Sequence, residues 1–308
     1  MITGAHGFLG NKLLSELQAR GIRKLLTPRR AELDLREQTA VRLYLSAEHP
    51  DIIIHLAANV GGIGANLRNP GTYFYDNLIM GTILLEEARQ IGLQKFVAIG
   101  TICSYPKTTP VPFREGDLWI GYPEESNAPY GLAKKMMLVQ AQAYRQQFGF
   151  NTIYLMPVNL YGPGDNFNLE TSHVIPAIIK KIDQAQRLEE SEIILWGDGT
   201  PTREFLYVDD AVQGIIKATE KYNDSEPVNL GSGSEISIKA LAELIAKEMN
   251  FKGKIIFDKS KPNGQQRRSL NCSRAYEKFS FKAQTKLEDG LRRTIDWYLS
   301  KVSEQEQS

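Results

Sequence analysis

The chain has 308 residues, 42% hydrophobic and 24% charged, the composition of a soluble globular protein of one or two domains. Its formal net charge of +1 and its lack of any Lys/Arg block give no electrostatic footprint for nucleic acid or an acidic membrane surface, and no apolar run approaches a transmembrane span. With no basic region followed by an apolar stretch at the amino terminus, a cytoplasmic protein with a small-molecule partner is expected.

In chain order, Met1-Ile2-Thr3 is the stub of a strand, followed by Gly4, Gly7 and Gly10 at spacing three and then by a helix start. Glycines there permit a tight turn and let backbone N–H groups reach a pyrophosphate at the helix amino terminus. The pattern is GxxGxxG rather than the GxGxxG of most two-domain dehydrogenases. Roughly twenty residues past Gly10, where an acidic side chain would hold the ribose 2′-hydroxyl of NAD, stand Arg29 and Arg30. Arginine suits a 2′-phosphate, which favours NADP(H), although Glu32 and Asp34 lie close by.

Apolar runs at Asp51–Ala58, Lys95–Gly100 and Asn151–Met156 predict buried parallel strands, and helical periodicity predicts helices over 35–48, 71–91 and 129–148. Strand and helix in alternation predict an α/β fold with a doubly wound parallel, Rossmann-type sheet. Ligands of such sheets bind at the carboxyl ends of the strands. Within the third helix, Tyr130 and Lys134 are four residues apart, so a phenol and an ammonium share one face. A neighbouring cation favours phenolate, which suits a proton donor beside a carbonyl that accepts hydride.

Past residue 158 the alternation loosens into Gly/Pro-rich loops, with helices expected near 173–187, 209–221, 237–249 and 285–301 and a return to the sheet near Phe205–Gly231. The expected organisation is a cofactor-binding domain of 1–158 plus about 204–232, and a smaller mixed α/β lobe of about 159–203 plus 233–308 that covers the substrate. Ser303 to Ser308 read as a frayed polar tail. Cys103 and Cys272, the two cysteines, lack CxxC spacing and suggest neither a disulfide framework nor a metal site. On side-chain chemistry alone, the preferred readings are Cys103 as a small buried hydrophobe at a strand end and His173 as a helix-capping residue, ahead of a thiol base and an imidazole acid.

Together with His55–Ala58, Val60–Ile63, Gly100–Pro106, Pro157–Pro163, Asp165–Phe167, Ser172–Pro176, Trp196–Gly199, Arg203–Phe205 and Ser260–Gly264, these features resemble the extended short-chain dehydrogenase/reductases, and within them the GDP-L-fucose synthases, over nearly the whole chain. The resemblance implies an oxidoreductase that is also an isomerase: C3/C5 epimerisation of GDP-4-keto-6-deoxy-D-mannose, then C4 reduction with NADPH to GDP-L-fucose. It makes Cys103 the base and His173 the acid of the inversions. Tyr130 becomes the proton donor of the reduction, with Lys134 depressing its pKa, and Thr101, where the family usually has serine, the hydroxyl that polarises the ketone.

For NADP(H) the resemblance implies contacts from Gly4, His6, Gly7, Phe8, Leu9 and Gly10 in the first turn, and from Arg29, Arg30, Asp34 and Leu35 after it. Leu56, Ala57, Ala58 and Ile99 would follow along the sheet edge, with Tyr130, Lys134, Pro157, Asn159, Leu160 and His173 at the reacting end. Around the GDP-sugar it places Asn159, Val174, Ile178 and Lys181, together with Trp196, Arg203 and Lys261. It further implies a homodimer through the 71–91 and 129–148 helices, giving a four-helix contact. Two other readings stay open: a sister enzyme acting on another GDP-keto sugar, such as a keto-heptose or a colitose precursor, and a catalytically silent NADP-binding regulator of the same fold.

Overall fold

In the computed structural model, which describes residues 1–306, the apolar runs Ile52–His55, Lys95–Ile99 and Thr152–Pro157 lie side by side in one parallel sheet. Ile53, Ile54, Phe96, Val97, Ala98, Ile153 and Leu155 are all buried, as strands covered by helices on both faces require. Ile2–Thr3 adds to one edge and Val228–Leu230 to the other, giving a five-stranded doubly wound Rossmann-type sheet. The first strand is only two residues long, and the Met1 amine extends its pairing by donating to the Ile52 carbonyl at 2.7 Å.

Helices Phe8–Ala19, Gln38–Glu48, Pro70–Gln90 and Ala128–Phe148 alternate with these strands. Pro70–Gln90 and Ala128–Phe148 pack against each other, closely enough at Gly81 that a β-carbon there would lie 3.1 Å from the Met137 sulfur. The later helices Val174–Arg187, Val208–Lys221 and Ile238–Glu248 fall within a residue or so of their predicted bounds, because amphipathic periodicity is a local signal.

Three differences from the sequence reading have physical causes. The Thr202–Tyr207 strand does not join the main sheet; it anchors a small separate sheet with Asn159–Tyr161, Arg267–Arg268 and Glu235–Ser237, and only Val228–Leu230 returns to the large one. Ser303 to Glu306 are not a frayed tail, since Leu287–Glu306 is one continuous helix; Gln307 and Ser308 lie outside the described residues. Short helices at Ile63–Arg68 and Ser273–Phe279 are too brief to carry a periodic signal.

Among the described residues two large hydrophobic clusters result, beside a small one of Ala65, Tyr73 and Tyr130. The larger fills both faces of the five-stranded sheet; it includes Leu270, Ala275, Phe279 and Phe281, from a stretch that sequence alone assigned to the smaller lobe. The other gathers Ile175, Ile179, Ile182, Leu195, Leu241, Ile245 and Leu291 around the Glu192–Trp196 and Lys254–Asp258 strand pair. The functional cleft runs between these clusters, along the carboxyl ends of the main strands.

Candidate active site

The glycine turn is built by contact. A β-carbon at Gly10 would lie 2.1 Å from the Gly4 carbonyl oxygen, and one at Gly4, whose φ is +69°, would lie 2.7 Å from the Ala57 nitrogen. Only glycine lets the first helix start this close to the sheet. That helix has Gly7 at its N-cap, no side-chain cap and no acidic residue in its first turn. Its first-turn amides therefore point into the cleft unpaired by side chains, a cradle suited to a pyrophosphate. His6 bridges the turn to the Thr27 carbonyl at 3.1 Å, bringing the following segment under the cradle.

Arg29 and Arg30 line this end of the cleft. Arg30 makes only a 3.8 Å contact to Asp34 and its side chain is 72% exposed, so its charge remains available to a phosphate. Asp34 and Leu35 also line the cleft, but the Asp34 carboxylate is gripped by Arg36, whose Nε and Nη2 donate at 3.0 and 2.7 Å. Those hydrogen bonds hold its pKa down to about 2. The donor set fits a dinucleotide carrying a 2′-phosphate better than one with a free 2′-hydroxyl.

The end of the cleft that holds the candidate catalytic residues is assembled by a second close approach. After the Lys95–Ile99 strand, the chain makes a single 3-10 turn, Ile102–Ser104, capped by Thr101, whose Oγ1 accepts from the Cys103 amide at 3.2 Å. The Ala128–Phe148 helix lies directly on this turn: a β-carbon at Gly131 would fall 2.3 Å from the Cys103 carbonyl oxygen, and Ser104 Oγ donates to the Gly131 carbonyl at 2.9 Å. Gly131, flanked by Tyr130 and Lys134, thereby brings the phenol to Thr101 and Cys103. Tyr154 OH donates to the Lys134 carbonyl at 2.8 Å and fixes the helix from the strand side.

Burial governs the ionisation of both motif residues. It raises the Tyr130 phenol well above its ordinary range, helped by the nearby Cys103 and opposed by a hydrogen bond with Thr101. It lowers the Lys134 ammonium to about 8. The spacing suggested a cation pulling the phenol down; in the enclosed site desolvation disfavours both charges, and Tyr130 is held protonated. A protonated phenol is the form a proton donor needs.

His173 occupies the N-cap position of Val174–Arg187 but makes no capping hydrogen bond, which leaves its imidazole facing the cleft. The ring is solvent-accessible within the cleft, yet the protein packed around it disfavours its charge and lowers its pKa. Leu56, Ala57, Ala58, Ile99, Pro157, Asn159, Leu160, Val174, Ile178 and Lys181 are further wall residues. Asn159 Nδ2 is committed to the Glu204 carbonyl at 2.9 Å, which ties the two sheets together at the cleft.

At the far end, Trp196 is 48% exposed, and Gly64 leaves room for its ring, since a β-carbon there would be 3.4 Å from it. Arg203 is crowded and its pKa falls to about 10, first through burial and then through neighbouring Arg268. Lys261 alone among the sequence candidates does not line the cleft; its Nζ lies 5.8 Å from the Trp196 ring centroid. In all, these residues enclose one cleft of about 1220 Å³.

Several wall residues carried no motif. Arg268 lies beside Cys103 and donates to the side chain of Asn127, and both line the cleft. Asp165 Oδ2 has no protein partner, and burial raises that carboxyl to about 7. Only the Asp165–Phe167 and Ser172–Pro176 segments were visible beforehand, as pieces of a family resemblance.

Residues 1–231 match the model of the NAD dependent epimerase/dehydratase family. Over 302 residues the chain is 39% identical to the probable GDP-L-fucose synthase 1 of Oryza sativa subsp. japonica, covering 98% of this chain and 92% of that protein. A GDP-L-fucose synthetase from Naegleria fowleri, solved with NADP bound, superimposes with a TM-score of 0.88 at 28% identity, covering 98% of this chain and 94% of that one. A GDP-6-OMe-4-keto-L-xylo-heptose reductase from C. jejuni superimposes with a TM-score of 0.92 at 26% identity, covering 97% of each chain.

Proposed function

The chain belongs to the NAD dependent epimerase/dehydratase family, and from that premise we propose that it is an NADP(H)-dependent epimerase/reductase converting GDP-4-keto-6-deoxy-D-mannose to GDP-L-fucose. The observation that carries the proposal is that one cleft, lined by Thr101, Cys103, Tyr130, Lys134 and His173, runs from the glycine cradle to Trp196 and Arg203. The named fucose synthases among its relatives supply the substrate.

Bound NADPH supplies hydride for C4; the remaining work falls to side chains of the chain. Cys103 removes a proton from a carbon next to the C4 ketone: the S–H bond forms as the C–H bond breaks, and the electron pair spreads onto the ketone oxygen. His173 returns a proton to that carbon from the other face, and two such inversions, at C3 and C5, precede reduction. Thr101 polarises the C4 oxygen and the protonated Tyr130 delivers the final proton to it. Lys134, titrating near 8, keeps positive charge beside the developing alkoxide at neutral pH.

Arg203 meets the diphosphate and Trp196 provides a flat wall for the base. Lys261, outside the lining, would act on the nucleotide only through its contact with the Trp196 ring. Incubating the protein with NADPH and GDP-4-keto-6-deoxymannose, with chromatographic identification of GDP-fucose, is the direct test. Oxidation of NADPH by a GDP-keto-heptose alone would favour the heptose reading, and tight NADPH binding without turnover on either sugar would favour a silent regulator.

The homodimer belongs to the same proposal. Phe74, Tyr75 and Val139 are exposed large hydrophobics on the paired helices Pro70–Gln90 and Ala128–Phe148. Two copies joined there would form a four-helix contact; sedimentation of Tyr75→Asp and Val139→Asp, expected to run as monomers, tests it. Among the described residues no helix is long and apolar enough to cross a membrane. Cytoplasmic placement goes with the NADPH and GDP-sugar that the enzyme would consume.

A further inference from the structure

Arg268 is a buried cleft residue whose surroundings hold it in one orientation. It pairs in register with Arg203 across the small sheet, and 7% of its surface is exposed. Its Nε donates to Gln265 Oε1 at 2.9 Å, one Nη donates to Cys103 Sγ at 3.5 Å, and the other donates to the side-chain oxygen of Asn127 at 3.0 Å, with the Asn127 amide turned to satisfy both its neighbours. The two anchors are themselves fixed: Gln265 Nε2 donates to the Lys107 carbonyl at 2.9 Å and the Asn127 amide to the Glu124 carbonyl at 3.2 Å. Both are buried.

A planar guanidinium held on three edges cannot swing, so one N–H stays aimed at the sulfur. Among the described residues no carboxylate forms an ion pair with Arg203 or Arg268, whereas the adjoining Arg267 is paired with Glu235 at 3.0 Å. Buried cations left without an anion are costly. The diphosphate of the proposed substrate would lie beside Arg203, and the Cys103 sulfur is the cleft group that Arg268 touches.

We propose that Arg268 is the positioning residue of the Cys103 base, aiming Sγ into the cleft and supplying its counter-charge, so that proton abstraction depends on a residue 165 positions further along the chain. The proposal rests on Cys103 being the base of the C3/C5 inversions. It also gives the Arg267–Arg268 strand a reason to join the sheet that carries Arg203: the contact brings the late part of the chain to the reacting centre.

The test uses NADPH-loaded enzyme in a Cys272→Ser background, where Cys103 is the one remaining thiol of the two in the chain. Iodoacetamide alkylation is followed against pH, and products are resolved into inverted and uninverted sugars. Arg268→Gln is expected to slow alkylation of Cys103 roughly tenfold on the low-pH side of the profile. It is also expected to divert turnover toward sugar reduced at C4 without inversion, with kcat for inversion falling more than KM for the GDP-sugar rises. Arg268→Lys, which keeps the charge without the planar fork, should recover the alkylation profile and only part of the inversion.

An unmoved alkylation profile with a raised KM would make Arg268 a diphosphate ligand and overturn the proposal. If Arg268→Gln fails to fold, Gln265→Ala, which frees one edge of the guanidinium, is expected to shift product partition in the same direction; parental partition in it would count against the proposal. Parental inversion by Cys103→Ser would sink the base assignment and this role with it. Lost inversion in Cys103→Ser alongside parental inversion in Arg268→Gln would sink this role alone.

Discussion

Gly131→Ala adds one methyl group where the Ala128–Phe148 helix rests on the Cys103 turn. The new β-carbon would lie 2.3 Å from the Cys103 carbonyl oxygen and 2.8 Å from its carbon, both backbone atoms that cannot rotate aside. Contacts of this kind need about 3.5 Å, so helix and turn must part by ~1 Å. Overpacking of this size costs about 1–3 kcal/mol, while replacing glycine inside a helix returns about 1 kcal/mol. The net change in melting temperature is therefore small, a drop of about 2–4 °C for each kcal/mol lost.

Activity is the sensitive readout, since a ~1 Å displacement of Tyr130 relative to Thr101 and Cys103 is the kind of misplacement that costs about a hundredfold in rate. The assay is NADPH oxidation with the keto sugar, paired with thermal unfolding. Gly116→Ala serves as the control, because a β-carbon there meets nothing within 4 Å. Parental kcat in Gly131→Ala, with a melting temperature at or above the parent's, would refute the claim that this close approach positions the site.

The Lys134 ammonium titrates near 8, so kcat for reduction is expected to fall as pH rises through that value; a Lys134→Met variant should be slow and flat across the same range. Lys95, whose Nζ donates to the carbonyls of Thr219 at 2.5 Å and Tyr222 at 2.6 Å, also has its pKa lowered by burial, from 10.5 to about 8. Because the unfolded chain then binds more protons between about 8 and 10.5, these two lysines make stability rise with pH across that window. Lys95→Met should cost about 1–3 kcal/mol for the carbonyls it strands and leave a shallower rise, read from melting temperature against pH. Replacing Arg29 and Arg30 together by Ala is expected to raise KM for NADPH about tenfold or more while leaving KM for NADH unchanged. Cys103→Ser should give sugar reduced at C4 without inversion, whereas Tyr130→Phe should slow reduction by about 10²–10⁴ and retain solvent deuterium exchange at C3 and C5; the opposite pattern would exchange their roles.

What sequence alone determined is what depends on near neighbours. The helices at 71–91 and 129–148 and the strand at Lys95–Gly100 were legible because amphipathic period and apolar runs are written within a few turns of chain, and the Gly4–Gly10 turn because its steric demand falls on the glycines themselves. The placement of Tyr130 and Lys134 on one face followed from four-residue spacing in the same way. Arg268 and Asn127 were not legible, since their meaning lies in contacts of Arg268 with Cys103 and with Asn127 across long stretches of chain. Nor was the direction in which Tyr130 titrates, because desolvation is a property of everything packed around a group. The Thr202–Tyr207 strand illustrates the same division: its residues specify a strand, but only packing between the two hydrophobic clusters chose which sheet it would join, and with that choice brought Arg203 and Arg268 to the cleft.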